Sequence, residues 1–359
     1  MADRAIRDLT VRTLRAPLPR PWAEDVRQVY LVVLRLRDSE GGEGIGFSWT
    51  PRAGVAAIRA LLATDIADAV VGWPTDPGVV WDRLWWQLHE AGGGGITTMA
   101  MAALDIALWD LRGKASGSGL ADLIGRRRDG VAVYSSGVNR HYSLDELIEQ
   151  AHRWRAAGYR GVKIKVGHDD LDTDVERVAA VREVIGSRCP LMIDANQRWD
   201  LPAARRAITA LERFDPHWVE EPLLSDDLGA HAELRRHIAT PIALGESLYT
   251  SYQFRDAIQR GACDVVQPNV ARVGGVTPFL RIAELARTCG AGLAPHLLID
   301  LSGQLALTLP QGCWVEDVED ASFDALGVLT EPSGVHVANG WLTADTPPGH
   351  GLRFTSTGD

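Results

Sequence analysis

Two lysines stand two residues apart in the run Val162-Lys163-Ile164-Lys165-Val166. Strand side chains alternate with a period of two, so both amines share one face and the aliphatic residues share the other. Two amines on an inward face are costly unless they are used. Each also disfavours the other's charge, which favours a neutral amine able to take a proton. Downstream, short β-rich runs end in acids: Ile193-Asp194-Ala195-Asn196, Val219-Glu220-Glu221-Pro222 and Gly245-Glu246-Ser247. Asp194 to Glu220 is 26 positions, and Glu220 to Glu246 is 26 again. This spacing predicts three carboxylates in register on adjacent strands. Such acids repel unless a cation sits between them, and an all-oxygen set suits Mg²⁺ better than zinc or copper. Periodicity alone does not separate Glu220 from Glu221. Pro295-His296 ends a later run, and Glu316 lies in the last one. His296 is expected across the site from the lysines, giving a proton-transfer group on each side of a metal-bound substrate.

The elements that must position these residues begin near Val131. Eight β-rich runs follow: 131–135, 162–166, 191–195, 217–221, 242–246, 264–268, 292–296 and 313–317. Amphipathic stretches separate them. One is 143–157, opened by the capping box Ser143-x-x-Glu146 and closed by Gly158. Alternating strand and helix means parallel sheet, and eight repeats mean a (β/α) barrel whose chemistry sits at the strand C-termini. A doubly wound sheet would place a glycine-rich turn after its first strand, and none is here.

Ahead of the barrel, 29–36 and 44–49 read as antiparallel strands, with 17–28 as a loop. Helices are expected over 55–71 and 79–90, and over 97–114 with most sides buried. The tetraglycine 92–95 follows no strand and precedes no Gly-Lys-Ser/Thr, so it reads as a helix stop.

Composition sets limits. The 359 residues carry 37 Lys+Arg against 47 Asp+Glu, a net charge of −10, which disfavours a nucleic-acid partner. No apolar run is long enough for a membrane span, and the N-terminus lacks an export core. The four cysteines have no metal-type spacing and read as reduced thiols, so a cytoplasmic location is expected.

The combination Lys163-x-Lys165, Asp194-x-Asn196, Glu220-Glu221-Pro222, Gly245-Glu246 and His296 resembles the enolase superfamily, mandelate racemase subgroup. Weaker matches are Ala102–Gly113, Val266–Val276 and Gly44–Ser48; the last, with Asp194–Trp199 and Val273–Phe279, resembles acid-sugar dehydratases of the talarate/galactarate type. The resemblance implies a (β/α)7–8 barrel over 128–325. An α+β cap over 1–127 is completed by the tail 326–359. It implies Mg²⁺ on Asp194, Glu220 and Glu246, a substrate carboxylate held by the metal and Lys163, and Lys165 as the base that yields an enediolate. Glu316 would donate a hydrogen bond to that carboxylate, with Asn196 supporting the site. His296 would be a second base or the acid for a leaving β-hydroxyl.

One position departs from the pattern. The aspartate expected beside the histidine is Asn269. It can orient the ring through its carbonyl but cannot stabilise imidazolium as a carboxylate does. Dehydration of a sugar acid to a 2-keto-3-deoxy acid is therefore expected. Cycloisomerisation or racemisation/epimerisation of a hydroxy acid or sugar-acid lactone is the alternative, and a non-catalytic Mg-binding relative a further one. Arg20, Trp22, Trp49 and Arg52 are the candidate cap-loop contacts to the distal end of a small carboxylate substrate. The chain is also expected to assemble as a homo-oligomer, dimer or octamer.

Overall fold

The computed structural model describes residues 4–356; the outermost positions of the expected cap and tail spans, 1–3 and 357–359, lie outside the described residues. The first layer is an antiparallel sheet of β1 (Ile6–Pro17), β2 (Gln28–Asp38) and β3 (Glu43–Thr50). Both of its faces are buried, in alternation. Val32, Leu34 and Leu36 pack with Ile58, Leu84 and Leu104 of the cap helices. Val29, Leu31 and Val33 turn to the core shared with the barrel.

The cap helices are α1 (Val55–Leu61), α2 (Ala67–Val70), α3 (Pro77–Leu88) and α4 (Ile96–Ser116). A π turn over Leu62–Ile66 joins α1 and α2 into the single helical span expected. Gly44 and Gly46 lie flat against α4. A Cβ on either would stand 2.1 or 2.0 Å from the carbonyl oxygens of Ala107 and Ala103. A short α5 (Leu120–Ile124) leads into the second layer.

That layer runs β4 (Val131–Ser136), α6 (Leu144–Ala156), β5 (Gly161–Lys165), α7 (Leu171–Ile185), β6 (Leu191–Asp194), α8 (Leu201–Leu211) and β7 (Pro216–Glu220). It continues through α9 (Leu228–Arg235), β8 (Ile242–Leu244), α10 (Ser251–Gln259), β9 (Val265–Val266), α11 (Val276–Thr288), β10 (Gly292–Leu293), α12 (Ile299–Ala306) and β11 (Trp314–Val318). All eight expected runs are strands. They pair in parallel from β11 through β4 to β10; among the described residues no register joins β10 to β11. The capping box at Ser143 is present, with Glu146 Oε2 accepting the Ser143 N–H at 2.8 Å.

The eighth strand is followed by a hairpin, β12 (Val335–Ala338) and β13 (Trp341–Ala344), where an eight-fold repeat would place a helix. β13 pairs antiparallel with Val131 and Ala132, ahead of the point where β5 joins β4 at Tyr134. Beyond the hairpin the tail reaches the cap. The His350 N–H donates to Asp110 Oδ1 at 3.1 Å, and its Nε2 lies 2.7 Å from the Ile45 carbonyl. Phe354 packs edge-on against Phe47.

Inside the barrel, Tyr134, Met192, Trp218, Ala243 and Ala294 form an apolar floor. Two residues above Met192 and Trp218 on the same face stand Asp194 and Glu220. Core and site are thus successive layers of one interior.

Candidate active site

Asp194 and Glu220 end adjacent strands and face each other in register. Glu246 does not share that register, because Ala243 is the residue opposite Glu220. The equal spacing of 26 therefore overstated the alignment. Glu246 lies three residues past Ala243, on the wrong parity to face inward, and Gly245 corrects this. Its φ of 142° lies outside ordinary L-residue conformations, and a Cβ there would stand 2.7 Å from the Gln267 nitrogen. The turn brings Glu246 to the mouth. One oxygen from each of Asp194, Glu220 and Glu246 lies within 4.8 Å of the others, close enough to hold a single metal ion. Glu221 is left outside the trio, with φ 37° and Oε2 bonded to Gln197 Nε2 at 2.8 Å. Burial pushes its carboxyl up to about 8, helped by Glu246 and Asp194.

Each carboxylate of the trio meets a nitrogen. Lys163 Nζ lies 2.7 Å from Glu220 and 2.8 Å from Glu316. Lys165 Nζ lies 2.5 Å from Asp194. His296 Nε2 lies 3.0 Å from Glu246. Mutual depression of the two lysines is not what this geometry gives. Burial lowers both, but Glu220 and Glu316 at Lys163, and Asp194 at Lys165, outweigh it and raise both ammonium groups. The carboxylates outnumber the amines, so attraction exceeds lysine–lysine repulsion.

Glu316 also departs from its expected role as a donor. Burial opposes its ionisation, yet the Lys163 ammonium at 2.8 Å holds its carboxyl down to about 2. It accepts the Leu297 N–H at 2.9 Å. It stands here as an anionic acceptor fixing Lys163 and the strand end after His296.

The Asn269 amide is turned opposite to expectation. Its carbonyl accepts the backbone N–H groups of Ala271 and Arg272 at 3.0 and 3.3 Å. Its amino group therefore faces His296 Nδ1 at 3.0 Å. A donor at Nδ1 leaves the ring proton on Nε2, pointing at the metal site.

Backbone strain gathers around these groups. Asn196, Gln197, Glu221, Leu297 and Leu298 all have positive φ and follow the ends of β6, β7 and β10. Each such residue costs on the order of 1 kcal/mol and persists only where surrounding contacts impose it.

The first part of the chain, 3–125, matches the mandelate racemase / muconate lactonizing enzyme N-terminal domain, and 146–357 matches the enolase C-terminal domain-like family. The chain belongs to the enolase superfamily. Within it, the chain is 36% identical over 343 residues to a 3,6-anhydro-α-L-galactonate cycloisomerase of Streptomyces coelicolor, covering 94% of both proteins. It is 39% identical over 294 residues to an L-talarate/galactarate dehydratase of Salmonella typhimurium, covering 81% of this chain and 74% of that one. The solved L-talarate dehydratase of Polaromonas sp. JS666, complexed with Mg and L-glucarate, superposes with a TM-score of 0.89 at 37% identity. It covers 99% of this chain and 96% of its own.

In this enolase-superfamily chain the cap-loop candidates fall in different places. Arg20 reaches the barrel rim, where a hydrogen bond to Tyr142 raises its guanidinium above the usual value, with Glu319 and Asp320 adding to it. Trp22 and Trp49 pack on each other at 5.9 Å, and Trp49 is buried in the core. Arg52 pairs with Asp25 at 2.9 Å within the exposed cap loops. Asn196 is exposed at the mouth, and it is its backbone N–H that bonds Asp194 Oδ1, at 2.8 Å.

Other residues went unassigned in the sequence. Gln267 is wholly buried and donates to Glu220 Oε2 at 2.6 Å. It lies two residues before Asn269 at the end of a strand run, a signal that could have found it. Gln197 bridges Glu221 and Ser247. Among the described residues, no helix is long and apolar enough to cross a membrane.

Proposed function

We propose that the chain removes the α-proton of a sugar acid and expels a β-oxygen, giving a 2-keto-3-deoxy acid. The observation that carries this reading is the packing of Lys163, Lys165 and His296 around the three-carboxylate cluster of Asp194, Glu220 and Glu246. Oxygen-only donors suit Mg²⁺, which is present in the talarate dehydratase relative. When bound, Mg²⁺ would supply the positive charge that an α-carbanion beside a carboxylate needs. Lys163 orients the substrate carboxylate. A cation held by Asp194 would cancel the charge that raises the Lys165 ammonium, leaving a neutral amine that takes the α-proton. The enediolate then collapses with loss of the β-oxygen as hydroxide, which solvent protonates. Nε2–H of His296 hydrogen-bonds the departing oxygen from the other side. Of the cap-loop candidates, Arg20 and the half-buried Trp22 are assigned to the distal end of the substrate, while Trp49 supports Trp22 from the core and Arg52 is engaged by Asp25.

Dehydration of an open-chain acid is the first reading. A second is favoured by Asn269. A neutral partner that donates to His296 suits hydrogen bonding to a leaving ring oxygen better than stepwise proton delivery by imidazolium. That would be cycloisomerisation of an anhydro- or lactone sugar acid, and it accords with the cycloisomerase relative matched over 94% of both chains. The test is incubation with Mg²⁺ and separate galactarate, L-talarate, galactonate and 3,6-anhydro-galactonate, following keto-acid formation and α-deuterium uptake in D₂O. Keto-acid from a linear acid supports dehydration, and keto-acid from the anhydro acid alone supports cycloisomerisation. Absence of both product and exchange overturns the proposal.

A further inference from the structure

β4 and β5 pair only as far as Ser136 opposite Lys163. Two residues on, the β6 side of β5 is still satisfied, since the Val166 N–H reaches the Asp194 carbonyl at 2.9 Å. On the other side β4 has ended, and the Lys165 N–H has no strand to bond. A side chain takes the strand's place. Asn139 Oδ1 accepts the Lys165 N–H at 3.0 Å, and Asn139 is wholly buried.

Behind Asn139 runs a one-way relay. Its Nδ2 donates to Gln150 Oε1 at 2.8 Å, and Gln150 Nε2 donates to Glu319 Oε2 at 2.5 Å. Amides can flip, and a flipped Asn139 would set an N–H against the Lys165 N–H. The far end prevents this. An ionised carboxylate only accepts, so Glu319 fixes Gln150, Gln150 fixes Asn139, and Asn139 presents its oxygen to Lys165. The Asn139 backbone is held as well, its carbonyl accepting Arg177 Nη2 at 2.7 Å and the Tyr142 N–H at 3.1 Å.

We propose that Asn139 is a positioning residue for Lys165, and that Glu319, acting through Gln150, sets the polarity that makes it one. The role rests on Lys165 being the base assigned above. Arg153 pairs with the same carboxylate at 3.1 Å, and Arg20 on the cap loop is close enough to feel its charge, so the relay's outer end lies where the cap meets the barrel.

The test compares Asn139→Leu, Gln150→Met, Glu319→Gln and the exchanged pair Gln150→Glu/Glu319→Gln, all loaded with Mg²⁺. In the exchanged pair the 150–319 bond reverses, but a carboxylate at 150 still only accepts from Asn139 Nδ2, so Asn139 keeps its orientation and function lost in Glu319→Gln should return. Substrate-free amide exchange at Lys165 should quicken about tenfold in Asn139→Leu, the loss of one buried hydrogen bond. With an acid that the wild type turns over, kcat should fall about 10- to 100-fold, with KM nearly unchanged and a larger isotope effect for the α-deuterated acid. Should Asn139→Leu fail to fold, Gln150→Met and the exchanged pair still decide. Wild-type exchange and kcat in the folded single variants, or no rescue by the exchanged pair, overturn the proposal. If the wild type turns over no acid, the functional reading fails, and the exchange measurement still decides the positioning role.

Discussion

The Asn269 amino group stands 3.0 Å from His296 Nδ1, held there because its carbonyl is committed to two backbone N–H groups. The ring therefore offers a proton from Nε2 and has no lone pair there to receive one. Asn269→Asp replaces the donor with an acceptor and permits proton uptake at Nε2. In D₂O the wild type should exchange the α-proton from the Lys165 face alone, and Asn269→Asp should add exchange from the opposite face. Proton NMR of the recovered acid reads both.

Lys165 is the amine nearest Asp194, at 2.5 Å, and is assigned the proton-abstracting role. Lys165→Ala should lower kcat about 10³-fold, the usual reach of a positioned base. Mg²⁺ affinity, read by calorimetry, should stay within a few-fold of wild type.

Metal binding should register as stability. With Mg²⁺ about a hundredfold above its dissociation constant, the folded state gains about 2.7 kcal/mol. A thermal melt should rise accordingly and fall back on chelation. Glu220→Gln removes one oxygen anion of the trio and should abolish the rise.

Gly245 turns Glu246 inward against the strand's parity. Gly245→Ala places a Cβ 2.7 Å from the Gln267 nitrogen at a φ of 142°. The variant should fold with a lower melting temperature and bind Mg²⁺ at least tenfold more weakly, as calorimetry would show. Unchanged affinity would mean that Glu246 reaches the mouth by another route.

Asp105 in α4 accepts the Thr277 N–H of α11 at 2.9 Å, joining cap and barrel. Burial pushes its carboxyl from 3.8 up to about 7, against the hydrogen bonds from Thr277 and Val276. The fold thus keeps a proton that the unfolded chain has already lost. That stability is full below the unfolded value and disappears as pH rises through about 7. Asp105→Asn keeps the acceptor and cannot ionise. Urea unfolding near pH 5 and near pH 8 should show the wild type losing about 2 kcal/mol more than the variant.

What could be read in advance followed the periodicities. Strand alternation placed Lys163 and Lys165 inward, and strand ends located Asp194, Glu220 and His296, while Glu316 was picked out within the eighth run by the family resemblance. The features that escaped are those set by contacts between distant segments. The charge state of the lysines depends on how many carboxylates reach them across the barrel. The orientation of Asn269 depends on a local turn at Ala271 and Arg272 that uses its carbonyl. Asn139 lies in a loop with no period, and its partner Lys165 is found only where β4 falls short of β5. The β12–β13 hairpin has no repeat to announce it, and it occupies the place of the eighth helix. In α3, Trp81 stacks on Trp85 and donates to the Gly274 carbonyl, a join between cap and barrel that no period announces.

The bond from His350 to the Ile45 carbonyl joins positions 305 residues apart. The barrel is thus a guest sequence lodged within the cap's own. A ribosome would have emitted every catalytic group before the chain that clasps the cap sheet from behind. Such long-range closure makes for slow folding, because the entropy of a very large loop is lost before its contacts form. Sealing the cap is accordingly expected to be a late step of maturation, with the barrel serving as the template on which the cap's two halves find each other.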